Sequence, residues 1–363
     1  MNQEAWKQAR RVLCVRLDSL GDVLMCTPAM RAIKQALPHC TLTLLTSGSG
    51  AAAAPYIDEI DAVIEYAAPW MKCKRPQSAL SDASMIRLLA ERHFDAAVIF
   101  TSYSQSALPA TLLCHLAGIP LRLAHCRENP YHLLSNWVPE PEPATLVRHE
   151  VRRQLDLVSQ VGWLADCTRL SFSVPPDDLA DVRGRLRAHR IADGQPFVLM
   201  HAGASAPSRR YPAALWAEVI KGVCRQTSCT VVLTGDVHEL DLIDQIQGAC
   251  GEDVLSLAGQ LDLGQLGAAI QLAQVVVSNN TGPAHMAAAI GTPLAELYAL
   301  TNPQHTPWQV ENRLLFHDVP CRFCYKSECP QGHHDCLGKV PPERVVEAVC
   351  SLLALRALQQ APP

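Results

Sequence analysis

The sequence lacks several features that would assign it to whole classes of protein. No apolar run reaches the roughly eighteen residues that a membrane-spanning helix needs. The first ten residues, MNQEAWKQAR, contain no apolar signal-peptide core. The formal net charge is only −4, so the basic excess of a protein that coats nucleic acid is also missing. We therefore expect a cytosolic protein that does not bind nucleic acid.

Two glycine fingerprints of nucleotide sites are also missing. None of the polar loops has the form G-x-G-x-x-G, which is typical of dinucleotide-dependent hydride transfer, or the P-loop form G-x-x-x-x-G-K-[ST]. Phosphate chemistry at these loops is therefore better explained by a nucleotide-sugar than by a nicotinamide cofactor or a P-loop nucleotide.

The composition itself is that of ordinary globular domains. Hydrophobic residues make up 48% and charged residues 18% of 363 residues, which is enough for two domains with their own cores. Cysteine is abundant, with 15 residues, but most stand singly in apolar segments, where they are typical of small buried side chains.

Strand-like and helix-like segments alternate in two series. The first opens with VLCVRL (12–17) and the second with FVLMHAG (197–203), and Pro175 and Pro176 lie between them in a polar stretch typical of a linker. This alternation predicts two parallel sheets covered by helices on both faces, hence two doubly wound, Rossmann-like α/β domains facing across a cleft. Strands are predicted at 12–17, 41–47, 61–66, 94–102, 197–203, 230–236, 253–259, 274–279 and 292–300. Helices are predicted at 23–37, 79–92, 106–117, 145–162, 212–226, 238–249, 263–273 and 282–291.

Polar loops follow the predicted strands where this fold binds ligands, at the carboxyl ends. DSLGD follows the first strand and carries Asp18 and Asp22. A carboxylate at this edge can take a proton from a reacting hydroxyl, and Asp22 can equally be the N-cap of a helix that begins at Val23.

Three loops of the second series have the residues of a diphosphate site. SNNTGPAH brings Asn280, Thr281 and Gly282 to a helix N-terminus that attracts anions, although a capping turn has the same sequence. HAGASAPSRRYP supplies Ser205 and Arg209, which can stabilise charge on a departing phosphate or be solvent-exposed. TGDVHE supplies Asp236 and Glu239, which can bind ribose hydroxyls or cap a helix.

Five segments together resemble glycosyltransferase family 9, the lipopolysaccharide heptosyltransferases. They are RLDSLGDVLMCTPAMRAI, HEVRRQLDLV, HAGASAPSRRYP, SNNTGPAHMAAAIGTP and CRFCYKSECPQGHHDC. The resemblance implies a GT-B fold and a metal-independent, cofactor-free inverting transfer at the cytosolic face of the inner membrane. It implies ADP-L-glycero-β-D-manno-heptose as the donor and a lipopolysaccharide inner core as the acceptor. The domains are expected at 1–172 for the acceptor and 173–340 for the nucleotide-sugar, with a C-terminal helix at 341–363.

The resemblance also implies roles for individual residues. Asp22, in the G-D-V-L motif, matches the proposed general base of the family. On the donor side, Asn280 stands where several members have Asp. The implied donor-binding residues are Ser205, Arg209, Glu239, Leu261, Asn280, Thr281, Gly282 and His285. For an anionic acceptor, the loop MKCKRPQ offers Lys72, Lys74 and Arg75, which can also be an ordinary solvated cluster.

Alternatives remain open at two points. Cys321, Cys324, Cys329 and Cys336 have a spacing that can hold a structural zinc or iron, although reduced or disulfide-linked cysteines fit the resemblance better and a catalytic metal is not expected. The acceptor can be a protein or another glycan in place of lipopolysaccharide, and a non-catalytic nucleotide-sugar-binding protein is a further alternative.

Overall fold

The computed structural model describes residues 3–72, 78–252 and 254–360. The chain forms two compact units, Met1–Ser171 and Phe172–Pro363. Each unit is built on one parallel six-stranded sheet. No helix among the described residues is both long and apolar enough to cross a membrane.

The sheet of the first unit has the strand order β3-β2-β1-β4-β5-β6. Its strands are β1 (Arg11–Arg16), β2 (Thr41–Thr46), β3 (Ala62–Glu65), β4 (Ala96–Ile99), β5 (Leu121–Cys126) and β6 (Asn136–Pro139). Its helices are α1 (Gln3–Lys7), α2 (Leu20–Ala36), α3 (Gly48–Ala53), α4 (Ala79–Glu91), α5 (Leu108–Leu116) and α6 (Glu150–Ser159).

The second sheet has the order β12-β11-β10-β7-β8-β9. Its strands are β7 (Phe197–His201), β8 (Thr230–Thr234), β9 (Leu255–Ser256), β10 (Val275–Asn279), β11 (Leu294–Leu297) and β12 (Asn312–Leu315). The helices are α7 (Pro176–Ala188), α8 (Ala213–Gln226), α9 (Leu240–Cys250), α10 (Leu263–Leu272), α11 (Gly282–Ile290), α12 (Asp335–Gly338) and α13 (Pro342–Gln360).

Both sheets thus repeat the order 3-2-1-4-5-6 of the Rossmann fold within their own unit. The order reverses between β1 and β4 in one sheet and between β7 and β10 in the other. Ligands of such sheets bind beyond the carboxyl ends of the strands at these reversal points. The fold therefore directs attention to the loops after β1, β4, β7 and β10.

The start of α2 differs from the prediction. Ser19, not Asp22, is the extended N-cap residue, and Asp22 is the third helical residue of a capping box. Pro28 lies inside this helix and cannot donate to the carbonyl of Leu24, but the hydroxyl of Thr27 donates to that oxygen at 2.7 Å. The helix therefore continues past its proline.

The predicted linker at Pro175 and Pro176 is wrong, and one predicted helix has other bounds in the structure. Pro175 and Pro176 do not form a linker, because Pro175 is the N-cap and Pro176 the first residue of α7, a position that needs no N–H donor. The helix predicted at 145–162 begins only at Glu150, where Nδ1 of His149 accepts a hydrogen bond from the N–H of Val151.

Candidate functional site

A buried arginine organises the loop after β1. Arg16, the last residue of β1, has a side chain only 1% exposed and pairs with three carboxylates. Its Nε lies 2.9 Å from Oδ2 of Asp18, its Nη2 donates to Oδ1 of Asp22 at 3.0 Å, and its Nη1 donates to Oε1 of Glu150 at 2.7 Å. A single guanidinium therefore fixes one carboxylate from the loop, one from α2 and one from α6.

The charges of this cluster shift each other's protonation. Burial alone would lower the pKa of Arg16, but Asp18, Glu150 and Asp22 outweigh it and raise that pKa well above the ordinary value. Burial raises the pKa of Asp18, to which the charge of Asp22 adds, while the charge of Arg16 and a hydrogen bond from Gln105 oppose the shift. The arginine thus stays charged, and Asp18 binds a proton more readily than an ordinary aspartate.

Asp22 is held on both of its oxygens. Besides the bond from Arg16 to Oδ1, its Oδ2 accepts from the backbone N–H of Ser19 at 3.1 Å and from the Ser19 hydroxyl at 2.6 Å. The side chain is 17% exposed, so solvent or a substrate can reach it. The capping role and an oriented, half-buried carboxylate therefore coexist in one residue.

Helix α6 fixes the second loop at this edge. Glu150, Arg153 and Gln154 lie on one face at spacings of three and four residues. Gln154 donates to the carbonyl of Thr101, just after β4, at 3.0 Å, and Arg153 donates to the same oxygen. The segment HEVRRQLDLV thus connects the loops after β1 and β4.

A pocket of about 460 Å³ opens between these two loops. Asp18 and Gln105 lie in its wall, and the exposed Lys72 lies at its edge. The other two predicted acceptor residues, Lys74 and Arg75, fall outside the described residues. The pocket coincides with the reversal point of the first sheet.

In the second unit, Asn279 at the end of β10 fastens the loop after β7. Its Nδ2 donates to the carbonyl of Ala202 at 2.7 Å, and its Oδ1 accepts from the N–H of Tyr211 at 3.2 Å. Both ends of the HAGASAPSRRYP loop are thereby tied to the neighbouring strand. Asn279 is fully buried, so its role is to position the loop.

Two of the predicted donor-binding residues, Arg209 and Asn280, are in contact at this reversal point. Nη1 of the half-buried Arg209 donates to the carbonyl of Asn280 at 3.5 Å, which places a positive charge beside the N-terminus of α11. Thr281 is the N-cap residue, but its hydroxyl donates to the carbonyl of Asn279 at 3.3 Å and does not cap the helix. Ser205 is exposed on the loop after β7.

Glu239 lies against the backbone of a glycine. A Cβ atom built on Gly203 would be 1.8 Å from Oε1 of Glu239, so only glycine leaves room for this carboxylate. Its Oε2 accepts from the N–H of Asp236 at 3.0 Å. Burial raises the pKa of Glu239, and that bond opposes the shift. The predicted ribose-binding acid is therefore oriented at the carboxyl end of β8.

Polar side chains form one buried row across four strands of the second sheet. In register, Thr234, His201, Ser278 and Glu296 are neighbours on β8, β7, β10 and β11. Nδ1 of His201 lies 3.2 Å from the hydroxyl of Thr234, and burial lowers the pKa of His201 to about 4, so the ring is neutral at pH 7. The sequence prediction assigned no role to any residue of this row.

Glu296 is the unusual member of the row. It is fully buried, and neither carboxylate oxygen has a hydrogen-bond partner among the residues that the structure describes. Burial raises its pKa well above the ordinary value, and the charge of Arg209 opposes that shift. A charged residue inside the apolar strand TPLAELYAL was the available signal for it in the sequence.

Two other predicted donor residues lie further along the same unit. Leu261 is half-buried and precedes Asp262, the N-cap of α10. His285, in the second turn of α11, is buried, and its ring centroid lies 6.5 Å from that of His305 in an edge-on arrangement. Within the described parts of the chain, no three His, Cys, Asp or Glu side chains lie close enough together to bind a metal ion, and this includes the four-cysteine segment.

Comparison with known proteins gives consistent matches. The family model described as Glycosyltransferase family 9 (heptosyltransferase) matches residues 83–334. Lipopolysaccharide heptosyltransferase 2 of Salmonella typhimurium is 26% identical, over 95% of this chain and 99% of that protein.

Two solved structures have the same fold along their whole length. A family 9 glycosyl transferase from Veillonella parvula has a TM-score of 0.79 at 20% identity, covering 95% of this chain and 98% of its own. The E. coli ADP-heptose LPS heptosyltransferase II has a TM-score of 0.74 at 21% identity, covering 96% and 99%. The predicted α/β GT-B fold with two Rossmann-like domains is thereby confirmed. The chain belongs to glycosyltransferase family 9 (heptosyltransferase) and is a glycosyltransferase enzyme.

Proposed function

We propose that this enzyme transfers heptose, with inversion, from ADP-L-glycero-β-D-manno-heptose to a lipopolysaccharide inner-core acceptor, and that Asp22 is the general base. The observation that carries the proposal is the position of Asp22, oriented by Arg16 and Ser19 at the reversal point of the first sheet. The similarity to a lipopolysaccharide heptosyltransferase and to an ADP-heptose enzyme supports the choice of donor and acceptor.

The proposed step is a single displacement. An acceptor hydroxyl attacks the anomeric carbon, a new C–O bond forms, and the bond to the diphosphate oxygen breaks on the opposite side. The acceptor proton passes to the Asp22 carboxylate, and the bonding electrons leave with ADP. One carboxylate is sufficient because a nucleoside diphosphate is a good leaving group once its charge is stabilised.

The second unit would bind the donor. Arg209, Ser205, Thr281 and the N-terminus of α11 at Gly282 would hold the diphosphate. Further along the site, Glu239 would bind the ribose hydroxyls and Leu261 the adenine. Asn280 and His285 would complete the donor site beside the sugar.

The first unit would bind the acceptor. Lys72, at the edge of the pocket that contains Asp18, would pair with an acidic group of the inner core, and Lys74 and Arg75 are proposed to assist it. Such an acceptor would bring the enzyme to the cytosolic face of the inner membrane.

A transfer assay tests this function. The purified chain is given ADP-heptose, UDP-glucose or GDP-mannose with an inner-core lipid acceptor that ends in Kdo, and the products are analysed by mass spectrometry. We expect transfer from ADP-heptose alone. If ADP-heptose is consumed only when a protein or another glycan is added, that molecule and not lipopolysaccharide is the acceptor. Nucleotide binding without turnover on any acceptor would contradict an enzymatic role.

A further inference from the structure

The pocket of the first unit contains one carboxylate of the Arg16 cluster and not the other. Asp18 lies in its wall, whereas Asp22 does not. Its volume of about 460 Å³ falls within the range of roughly 300–1,000 Å³ that is usual for small-molecule sites. The two aspartates therefore have different surroundings, although both pair with the guanidinium of Arg16.

The far walls of the pocket are apolar and partly aromatic. Trp70, Met71, Phe100 and Pro109 line it. The ring of Trp70 packs edge-on against Tyr66, with 5.7 Å between the centroids, which limits its movement. Flat apolar walls with a few polar groups at one end suit the face and the hydroxyl edge of a sugar ring.

Asp18 is held rigidly at the polar end. Its Oδ1 accepts a hydrogen bond from Nε2 of Gln105 at 2.6 Å, and its Oδ2 pairs with Nε of Arg16 at 2.9 Å. Gln105 is itself fixed, because its Oε1 accepts from the N–H of Ser102 at 3.0 Å. A carboxylate offers about four lone-pair directions, so two contacts leave capacity for hydroxyl donors.

We propose that Asp18 is the acceptor-recognition residue of this pocket, binding hydroxyl groups of an acceptor sugar ring that lies against the half-buried Trp70. Acidic groups of the acceptor are kept away from Asp18 by charge repulsion and are directed towards Lys72. The two aspartates then divide the work, with Asp18 setting specificity and Asp22 moving the proton. This inference rests on the proposed function only in taking the acceptor to be a sugar.

A binding experiment without transfer tests the inference. The full chain is titrated calorimetrically in the presence of ADP with the methyl glycoside of Kdo and with analogues that each lack one of its hydroxyl groups. We expect Asp18→Asn to weaken binding of the methyl glycoside about 10- to 100-fold, as for loss of hydrogen bonds to a charged group. One analogue, which lacks the hydroxyl that Asp18 binds, should bind the wild type as weakly as the parent sugar binds Asp18→Asn. Its affinity for Asp18→Asn should not be lower still.

Two more variants keep the result interpretable. Gln105→Leu retains the carboxylate but removes its fixed donor, so we expect a smaller loss than for Asp18→Asn. Asp166→Asn, an exposed aspartate of the same unit, should bind like the wild type. Wild-type affinity in Asp18→Asn, or losses that simply add for every analogue, would overturn the proposal.

Transfer kinetics distinguish a wrong assignment of Asp18 from a wrong proposed function. In a transfer assay Asp18→Asn should raise the acceptor KM and keep most of kcat. A collapse of kcat at unchanged acceptor KM would make Asp18 the base and overturn its recognition role. Absence of transfer in the wild type would contradict the proposed function while leaving the sugar-binding result intact.

Discussion

Gly203 and Glu239 are fitted to each other so closely that no side chain can stand between them. A Cβ atom on Gly203 would lie 1.8 Å from Oε1 and 2.1 Å from Oε2 of Glu239. The loop after β7 therefore determines where the carboxylate at the end of β8 lies.

Gly203→Ala should displace Glu239 and weaken nucleotide binding. We expect an ADP dissociation constant raised by about 10-fold or more, because a hydrogen bond from ribose to a charged group is worth about 1.5–3 kcal/mol. Isothermal titration with ADP measures it. Gly248→Ala is the matched control, since its Cβ would meet nothing within 4 Å. Equal ADP affinity in Gly203→Ala and the wild type would contradict the assigned role of Glu239.

Arg209→Ala should raise the donor KM about 10- to 100-fold, because a charge-assisted bond to the diphosphate is lost. Arg209→Lys keeps the charge but not the planar fork, so it should recover part of the loss. The exposed Arg225→Ala is the control. Steady-state kinetics at varied donor concentration measure this KM. An unchanged donor KM in Arg209→Ala would contradict the assignment of Arg209 to the diphosphate site.

Glu296→Gln should change how stability depends on pH. Burial raises the pKa of Glu296 in the folded chain, so unfolding releases a proton above the unfolded pKa of about 4.3, and this contribution to stability falls as pH rises. Glutamine does not titrate, so the stability of the variant does not fall with pH in this way. Its free energy of unfolding should therefore gain on the wild type by up to about 1.4 kcal/mol per pH unit from pH 5 upward.

Urea unfolding at pH 5, 6, 7 and 8 measures this difference. Glu347→Gln, an exposed glutamate on α13, provides the control and should track the wild type at each pH. A constant difference between Glu296→Gln and the wild type would show that Glu296 does not take up a proton on folding.

Arg16→Met should be strongly destabilising, because it leaves the buried Glu150 and the half-buried Asp18 and Asp22 without their shared cation. Breaking a buried pair by removing one partner costs about 3–5 kcal/mol. Arg11→Met, at the exposed start of the same strand, should cost far less. Thermal unfolding of the two variants provides the comparison, and similar melting temperatures would contradict the account of this cluster.

Sequence patterns predicted most of the fold and the loops that carry the candidate site. Apolar runs such as β1 and β10 are recognisable because both faces of a parallel sheet are buried. Strand β5 was missed because Arg122 and His125 interrupt its apolar pattern. Both are buried in the structure, where the Arg122 guanidinium donates to the carbonyls of Leu133 and His132, among others. Strands β6 and β12 were missed as well.

Some residues of the candidate site could be predicted from the sequence, and others could not. Asp22, Arg209 and Glu239 stand in polar segments that directly follow predicted strands, which is where this fold binds ligands. Arg16 and Glu150 are separated by 134 positions, and their pairing depends on packing that no local pattern reports. Glu296 was predicted only as part of a strand, because the consequence of its charge depends on which groups surround it.

The variant Asp22→Asn tests whether Asp22 is the general base of the transfer. Ser19→Ala is the control, since it removes one bond to Oδ2 of Asp22 but keeps the carboxylate. Heptose transfer from ADP-heptose and ADP binding should be measured on both variants. The account predicts that kcat of Asp22→Asn falls by about 10²- to 10⁴-fold while ADP affinity stays unchanged. A kcat within a few-fold of the wild type, or a parallel loss of ADP affinity, would contradict Asp22 as the general base.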